Sequence, residues 1–439
     1  MSGWDPRPAI ALKRSGSRVP AEDIERIVLA YARGEVADGP MAAFLMACVL
    51  RGMDAGETDA MTRAFIASGA SVTLGDVGRP VVDKHSTGGV SDAVSLVFAP
   101  LVAALGLACV KVSGRALGHT GGTIDKLEAI PGFRVDLDIE QMRRQVERVG
   151  CVITSQTPEL VPADGAVYAL RDATGTVESV PLIAASVMAK KLAVASDVIL
   201  LDVKAGSGAF MRDAAAAAQL ADACLAIARA ARRRAGAAIT DMSQPLGTAI
   251  GNALEVAEAI EVLHGRRDGR LRDLAVWLAA RALTSAVGIG PDEAAAAASS
   301  ALADGSALAR FAAWVEAQGG PPLVIDDPAG ILPRAAVRLP ILAAASGFVS
   351  TVDTATVGLV AQGLGAGRAH RGDTVDPSVG IVLTAKIGEL VERGEPIGTV
   401  HARDAGSAEI AGNAIAASLQ VAAEPVAAPP LVYGWSEEG

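Results

Sequence analysis

A chain of 439 residues is longer than one ordinary hydrophobic core supports, so two or three lobes are expected. A net charge of −10 argues against a nucleic-acid partner, although a local cluster of donors can still bind a small anion on an acidic protein. Hydrophobic residues make up 51%, which raises the question of a membrane; the most apolar stretch, residues 94–110, is broken by Pro100 and Gly106 and runs into the polar Lys111, so it reads as a buried helix followed by a buried strand. The four cysteines (Cys48, Cys109, Cys151, Cys224) form no CxxC pair, so neither a disulfide framework nor a cysteine metal site is expected. With no basic-then-apolar leader at the N-terminus, the expected compartment is the reducing cytoplasm.

Residues 1 to about 70 read as helices: an amphipathic run opening at Pro20 and ending near Gly34, a mostly apolar run from Pro40 to Arg51, and a third after Gly56. Around Val81 the period changes. Short apolar runs at 81–83, 108–112, 152–153 and 198–203 alternate with helical stretches, the pattern of a mostly parallel sheet. Ala214–Ala237, Leu254–Leu263 and the alanine-rich Ala294–Ala312 extend the helical layer. After Pro340 the chain is Gly-rich with alternating strands. There Gly388–Val400 has the form of the hairpin of biotinyl and lipoyl domains beside Lys386, a fold cue that does not make a swinging-cofactor site. The expected fold is α/β: a small all-helical lobe from residues 1–70 and 160–195, a large mostly parallel-sheet lobe from 80–154 and 196–335, and a C-terminal α+β lobe from 340–439.

Two segments carry chemistry. In Val82–Asp92 a strand runs into Lys84, His85, Ser86 and Thr87, then Gly88-Gly89, then a helix. Backbone N–H groups at such a turn favour an anion; Lys84 adds charge, Ser86 a hydroxyl, and the glycines allow close approach. The glycine spacing is neither that of a Walker A loop nor that of a dinucleotide-binding loop. The second segment, Lys111–Glu128, again follows a strand and again joins hydroxyls (Ser113, Thr120, Thr123) to glycines. Adjacent parallel strands ending in two such loops put both at the carboxyl edge of one sheet, where α/β proteins bind ligands. Farther on, Tyr168 and Arg171 are spaced to share one helical face, as are Ser186 and Lys190.

Both loops, together with Leu201–Met211 and the opening Ala43-Phe-Leu-Met-Ala, resemble the thymidine and pyrimidine-nucleoside phosphorylase family nearly end to end, and the string Ser113–Glu128 is highly specific for it. The resemblance implies inorganic phosphate and a pyrimidine nucleoside as substrates, a homodimer formed through the helical lobe, no required cofactor, and neither a nucleic-acid nor a membrane partner. It assigns phosphate to Lys84, Ser86, Thr87, Ser95, Ser113 and Thr123 with Lys111 nearby, and the base to Tyr168, Arg171, Ser186 and Lys190. It makes His85, Arg171 and Lys190 the catalytic group. His85 would protonate or hydrogen-bond the departing pyrimidine, a task suited to a side chain titrating near neutrality; His119 is a weaker candidate with a loop-orienting role, and His264, His370 and His401 show no pattern. With no covalent nucleophile implied, phosphate would displace the base in a single inverting step, giving an α-sugar 1-phosphate. Lobe closure would hinge near 71–80 and 155–163.

Some relatives hold a potassium ion near the positions of Leu246, Ala249 and Glu258. Those residues are present here, but the family's usual glycine and threonine are Ser91 and Ala93, and the lost hydroxyl weakens the case for an ion. Lysine at 111 goes with relatives that accept uridine as well as thymidine, so broad pyrimidine specificity is expected. An anthranilate phosphoribosyltransferase on the same scaffold would need acidic residues around a magnesium-bound pyrophosphate, and the 113–128 string and the C-terminal lobe argue against it. A non-catalytic nucleoside-binding protein is opposed by the intact set of donors.

Overall fold

The computed structural model describes residues 4–115, 121–157, 159–370 and 372–438. Four helices open the chain: α1 (Arg7–Ser15), α2 (Ala21–Ala32), α3 (Asp38–Arg51) and α4 (Ala55–Ala67). α4 begins at a capping box in which Asp54 accepts from the Glu57 amide and Glu57 reaches back to Asp54. The same buried Glu57 also takes Lys13 Nζ at 2.6 Å and the Val19 amide at 2.9 Å, tying α1 and the α1–α2 link to α4.

The chain then enters the sheet through β1 (Val81–Ser86), α5 (Val94–Ala104), β2 (Ala108–Ser113), α6 (Thr123–Glu128), α7 (Ile139–Val149) and β3 (Cys151–Ser155). It returns to the helical lobe for α8 (Pro162–Thr174) and α9 (Val180–Leu192) before β4 (Val198–Ala205), α10 (Ala214–Ala230) and β5 (Arg234–Asp241) complete the parallel strands. β6 (Ala249–Ile250), α11 (Asn252–Leu263), α12 (Arg270–Val287), α13 (Pro291–Ala303), α14 (Ser306–Ala317) and α15 (Pro328–Ile331) follow. The last part comprises β7 (Val337–Leu342), β8 (Gly347–Val352), α16 (Thr354–Ala361), β9 (Gly380–Leu383), β10 (Leu390–Val391), β11 (Pro396–Ala402), α17 (Ala405–Ser418), β12 (Leu419–Ala422) and β13 (Val432–Glu438). The architecture is the expected one: a helical bundle, a mostly parallel α/β domain, and a C-terminal domain of antiparallel sheets.

The large sheet has the order β13-β5-β4-β1-β2-β3, parallel from β1 to β5. Period-two alternation sends its residues to two cores. On β2, Ala108, Val110 and Val112 pack with the helical lobe (Ile27, Phe44, Phe65, Leu170), whereas Cys109 packs with α5 and α11–α14. The apolar stretch of 94–110 is, as expected, a helix wholly packed in this second core and then a strand, and among the described residues no helix is long and apolar enough to cross a membrane. The links between lobes lie side by side: the Ala70 amide donates to Glu159 O at 2.7 Å and the Val72 amide to Ala193 O at 2.7 Å.

Four expectations need correction. The helix expected over Ala214–Ala237 stops at Ala230; Arg232 takes a left-handed φ of 53° and β5 begins at Arg234. The alanine-rich run is two helices, parted at Gly305 with φ 78°. Residues 388–400 form no hairpin: β10 pairs with β8, and β11 lies between β7 and β9. Nor does the chain end within the C-terminal lobe, because β13 pairs antiparallel with β5 and covers an otherwise open sheet edge. Conversely, β6 leaves the α/β region to pair with β9.

That returning strand explains the alanine-rich segment that reads as helix. A Cβ on Gly236 would stand 2.1 Å from the Trp435 ring, so β5 needs a glycine where β13 lays its indole, which in turn packs edge-on against Trp277 at 5.5 Å. Gly236→Ala should therefore displace Trp435 and destabilise the protein by about 2 kcal/mol in denaturant titration. In a Trp435→Ala background the same change should lose most of that effect; equal losses in both backgrounds would show that the indole is not the obstacle.

Candidate active site

β1 supplies side chains to both faces of the sheet. Asp83 and His85 point to the side of the helical lobe, and Lys84 and Ser86 to the side of α5. After the strand, Gly88 takes φ 95°, and a Cβ on Gly89 would meet Met242 Cε at 2.4 Å. Gly88 therefore supplies the left-handed backbone, and a side chain at 89 would have to push Met242 aside. The helix does not follow at once: α5 begins at Val94, and Asp92 accepts from the Val94 amide at 3.3 Å. The second loop reaches the first where the Gly121 amide donates to Gly89 O at 3.3 Å.

Beneath the turn lies a dry layer of charge. Lys84 Nζ is 2.7 Å from Asp202 Oδ2, Lys204 Nζ is 2.8 Å from the same oxygen, and the side chains are at most 1% exposed. Asp92 lies 3.8 Å from Lys204 and accepts the Ser86 hydroxyl at 2.6 Å, while Lys126 Nζ bonds the Asp92 carbonyl at 2.7 Å. Burial opposes the Lys84 charge, but Asp202 and Asp92 outweigh it and hold its pKa above the ordinary lysine value. Burial likewise opposes ionisation of Asp92 and Asp202, yet Lys204 and Lys84 hold both far on the ionised side.

One cavity of about 300 Å³ opens at this sheet edge. It is lined by all the residues expected to bind phosphate or base or to act in catalysis except Lys84: His85, Ser86, Thr87, Ser95, Lys111, Ser113 and Thr123 on the sheet side, and Tyr168, Arg171, Ser186 and Lys190 on the helical side. Strand alternation explains the exception, because it turns Lys84 under the loop toward Asp202. Thr87 is held in place from behind, its hydroxyl accepting from the Lys204 amide at 2.9 Å.

On the helical wall the donors are already engaged. Arg171 is buried and gives its guanidinium to the carbonyls of Thr176 (3.1 Å), Val177 (2.7 Å) and Leu182 (3.1 Å), bracing the link between α8 and α9. Burial lowers its pKa, with Asp164 acting in the opposite sense. Tyr168 lies beside it, the guanidinium carbon 6.0 Å from the ring centroid. Lys190 Nζ donates to Ser186 Oγ at 2.9 Å and pairs with the buried Asp164.

The expectation that His85 titrates near neutrality does not hold. Burial, then Lys191, Lys111 and Lys190, push its pKa well below the ordinary value, so the imidazole is neutral at pH 7. Lys111 donates to Lys84 O at 2.6 Å, and burial followed by repulsion from Lys191 lowers its pKa to about 7. Lys191 is itself fixed by Asp83 at 2.8 Å across the lobe boundary.

Sequence reasoning missed Asp92, Asp164, Asp202, Lys191 and Phe210. Asp164 was within reach, since it lies four and seven residues before Tyr168 and Arg171 and so on their helical face. Phe210, which lines the cavity together with Met211, sits in a quoted string that offered no role for it. Asp202 pairs with a lysine 118 positions away, and no local pattern announces it. His119 and Thr120 lie outside the described residues.

The residues near the suggested ion do not fit one. Ala93 offers no side-chain oxygen, the Ser91 hydroxyl bonds Ala249 O, and Glu258 accepts from Thr248 N (2.8 Å), Thr248 Oγ1 (2.8 Å) and Ala249 N (3.0 Å) with Arg267 alongside at 3.2 Å. Lys386 gives no support to a swinging arm either: its ammonium bonds Pro245 O at 2.7 Å and Gly247 O at 2.5 Å.

Comparison with known proteins adds independent findings. The helical-bundle domain of the glycosyl transferase family matches residues 7–69, the a/b domain of that family matches 78–308, and the pyrimidine nucleoside phosphorylase C-terminal domain matches 348–422. A thymidine phosphorylase of Agrobacterium fabrum is 45% identical over 406 residues, covering 92% of this chain and 93% of its own. A pyrimidine-nucleoside phosphorylase of Geobacillus stearothermophilus is 42% identical, covering 97% and 98%. The crystal structure of anthranilate phosphoribosyltransferase from Thermus thermophilus superposes with a TM-score of 0.59 at 20% identity, covering 71% of this chain and 99% of that one, a likeness of fold alone.

The charge layer under the turn gives the geometry a direct test. Asp202→Asn leaves Lys84 and Lys204 buried with too little countercharge and should lower unfolding free energy by about 3 kcal/mol in denaturant titration. The double change Lys84→Met with Asp202→Leu should lose clearly less than that; a double variant worse than the single would show that the pair is not the source of the loss.

Proposed function

Because the chain belongs to the thymidine and pyrimidine-nucleoside phosphorylase family, we propose that it cleaves thymidine, deoxyuridine and uridine with inorganic phosphate, releasing the pyrimidine and an α-pentose 1-phosphate. The observation that carries this reading is the two-walled cavity: hydroxyls and glycine turns of the sheet face the donors Arg171, Ser186 and Lys190 of the helical lobe.

We assign orthophosphate to Ser86, Ser95, Ser113 and Thr123, with Lys111 adding charge and Thr87 shaping the turn. Lys84 acts from below: held charged by Asp202, it contributes a positive field without touching the anion. Ser86 gives its hydroxyl to Asp92 when phosphate is absent and turns it to the incoming anion. The nucleoside lies across the cavity with its base against Tyr168, Ser186, Lys190 and Arg171. As the glycosidic bond breaks, negative charge moves onto the ring oxygens. Lys190, kept in register by Asp164 and Ser186, stabilises that charge, and the neutral His85 donates a hydrogen bond to the departing base. Closure along the paired links at 70–72, 159 and 193–195 brings the two walls together.

The uridine reading is supported by Lys111, a polar group in the cavity wall on the same strand as Ser113. Homodimer formation through the helical lobe is supported by Leu12, Met46 and Leu50, apolar side chains left exposed on α1 and α3. Four free, buried cysteines are in keeping with a cytoplasmic protein.

Measured kcat/KM for thymidine, deoxyuridine and uridine should all depend on added phosphate, and uridine resisting cleavage at any phosphate concentration would restrict the enzyme to deoxynucleosides. Lys190→Ala should lower kcat/KM for nucleoside by about 100-fold while leaving phosphate KM nearly unchanged. Arg171→Ala should behave in the same direction; wild-type turnover in that variant would remove Arg171 from the chemistry. Since the Lys111 charge is lost as pH rises through about 7, kcat/KM for phosphate should fall more steeply from pH 7 to 9 in wild type than in Lys111→Met. Parallel profiles would place Lys111 outside the phosphate field.

A further inference from the structure

We propose that the Ser91 hydroxyl closes, by hydrogen bonding, a junction under the phosphate loop that a monovalent cation would otherwise close, and that this chain folds and works without such an ion. Ser91 is one of three non-glycine residues among those described with positive φ, at 60°. A side chain in that conformation is strained and persists only where its surroundings over-determine it.

Three hydrogen bonds do so here. The Gly247 amide donates to Ser91 O at 3.1 Å, the Leu246 amide donates to Val90 O at 3.2 Å, and the Ser91 hydroxyl donates to Ala249 O. The left-handed backbone is what aims Oγ into this cluster. A Cβ built on Gly247 would stand 2.4 Å from Glu258 Oε2 and 2.8 Å from Ser91 Oγ, so these two oxygens crowd the same small space.

Five oxygens around this junction already have a proton donor. Ser91 O has Gly247 N, Ala249 O has the Ser91 hydroxyl, Gly247 O has Lys386, and both oxygens of Glu258 have amides. Arg267, at 3.2 Å from Glu258, supplies the positive charge that the carboxylate demands. A potassium ion, which binds through oxygen lone pairs, would compete with these donors and sit against the Arg267 guanidinium. The junction couples two domains: residues 90–91 follow the Gly88-Gly89 turn, and residues 249–250 are the strand that enters the C-terminal sheet. The hydroxyl thus holds the phosphate turn against the C-terminal domain.

Full-length protein, exchanged into choline chloride and titrated with potassium or sodium chloride at constant ionic strength, tests this by thermal unfolding and by thymidine phosphorolysis. The wild-type Tm should move by less than about 1 °C, and turnover should not rise. Ser91→Ala, which keeps the strained backbone and removes the hydroxyl, should unfold about 2–4 °C lower in choline. A wild-type Tm that climbs with potassium over choline, or a Ser91→Ala protein as stable as wild type, would overturn the proposal. The unfolding readout is independent of catalysis, so a chain without phosphorolytic activity would still decide this point while refuting the proposed function.

Discussion

An anion site in a dry sheet edge needs positive charge beneath it, and a buried ammonium exists only beside a carboxylate. That constraint organises the centre of this molecule. Lys84 and Ser86 on β1 stand next to Asp202 and Lys204 on β4, and Ser86 is directly paired with Asp202 in the sheet register. Period-two alternation on both strands therefore places all four side chains on one face, where Asp202 pairs with both lysines and Asp92 takes the Ser86 hydroxyl. The two lysines and two aspartates balance in charge, so the loop sits over a fixed set of buried ion pairs, with Lys84 the local cation beneath it. The set is held in place at no reorganisation cost when phosphate arrives.

The other face of the same strand meets the helical wall of the cavity. Asp83 fixes Lys191 of α9 across the lobe boundary, and His85 projects between Lys191, Lys111 and Lys190, which together with burial keep it neutral. β1 is thus shared by the buried charge layer and the helical wall. Lys190, one residue from the anchored Lys191, is set by Asp164 and Ser186. The side chains that would stabilise the departing base are positioned by the same helix that is bolted to the strand bearing the phosphate turn.

Much of this was legible in the amino-acid order, for local reasons. A strand, a hydroxyl and a glycine pair in succession specify a turn at a strand end, and two such segments after neighbouring strands put both at one edge. The spacings 168/171 and 186/190 placed donors on helical faces that do line the cavity. What escaped depends on contacts distant in sequence. Lys84 looked like a phosphate ligand because its partner Asp202 is invisible from its own neighbourhood. β5 looked like helix because its alanines have high helix propensity, whereas Gly236 is there for an indole almost 200 residues later. Ser91 looked like the mere loss of a glycine, and only the fold shows where its hydroxyl goes.

In the proposed reaction free orthophosphate, held on the sheet wall, attacks the sugar carbon directly while the helical wall receives the leaving base. Phosphorus and proton NMR of thymidine incubated with the enzyme and phosphate tests it most directly. Thymine and 2-deoxyribose 1-phosphate should appear in equal amounts, with the sugar phosphate formed as the α anomer. Free deoxyribose, or a β-configured product, would mean that water or an enzyme nucleophile attacks instead and would contradict it.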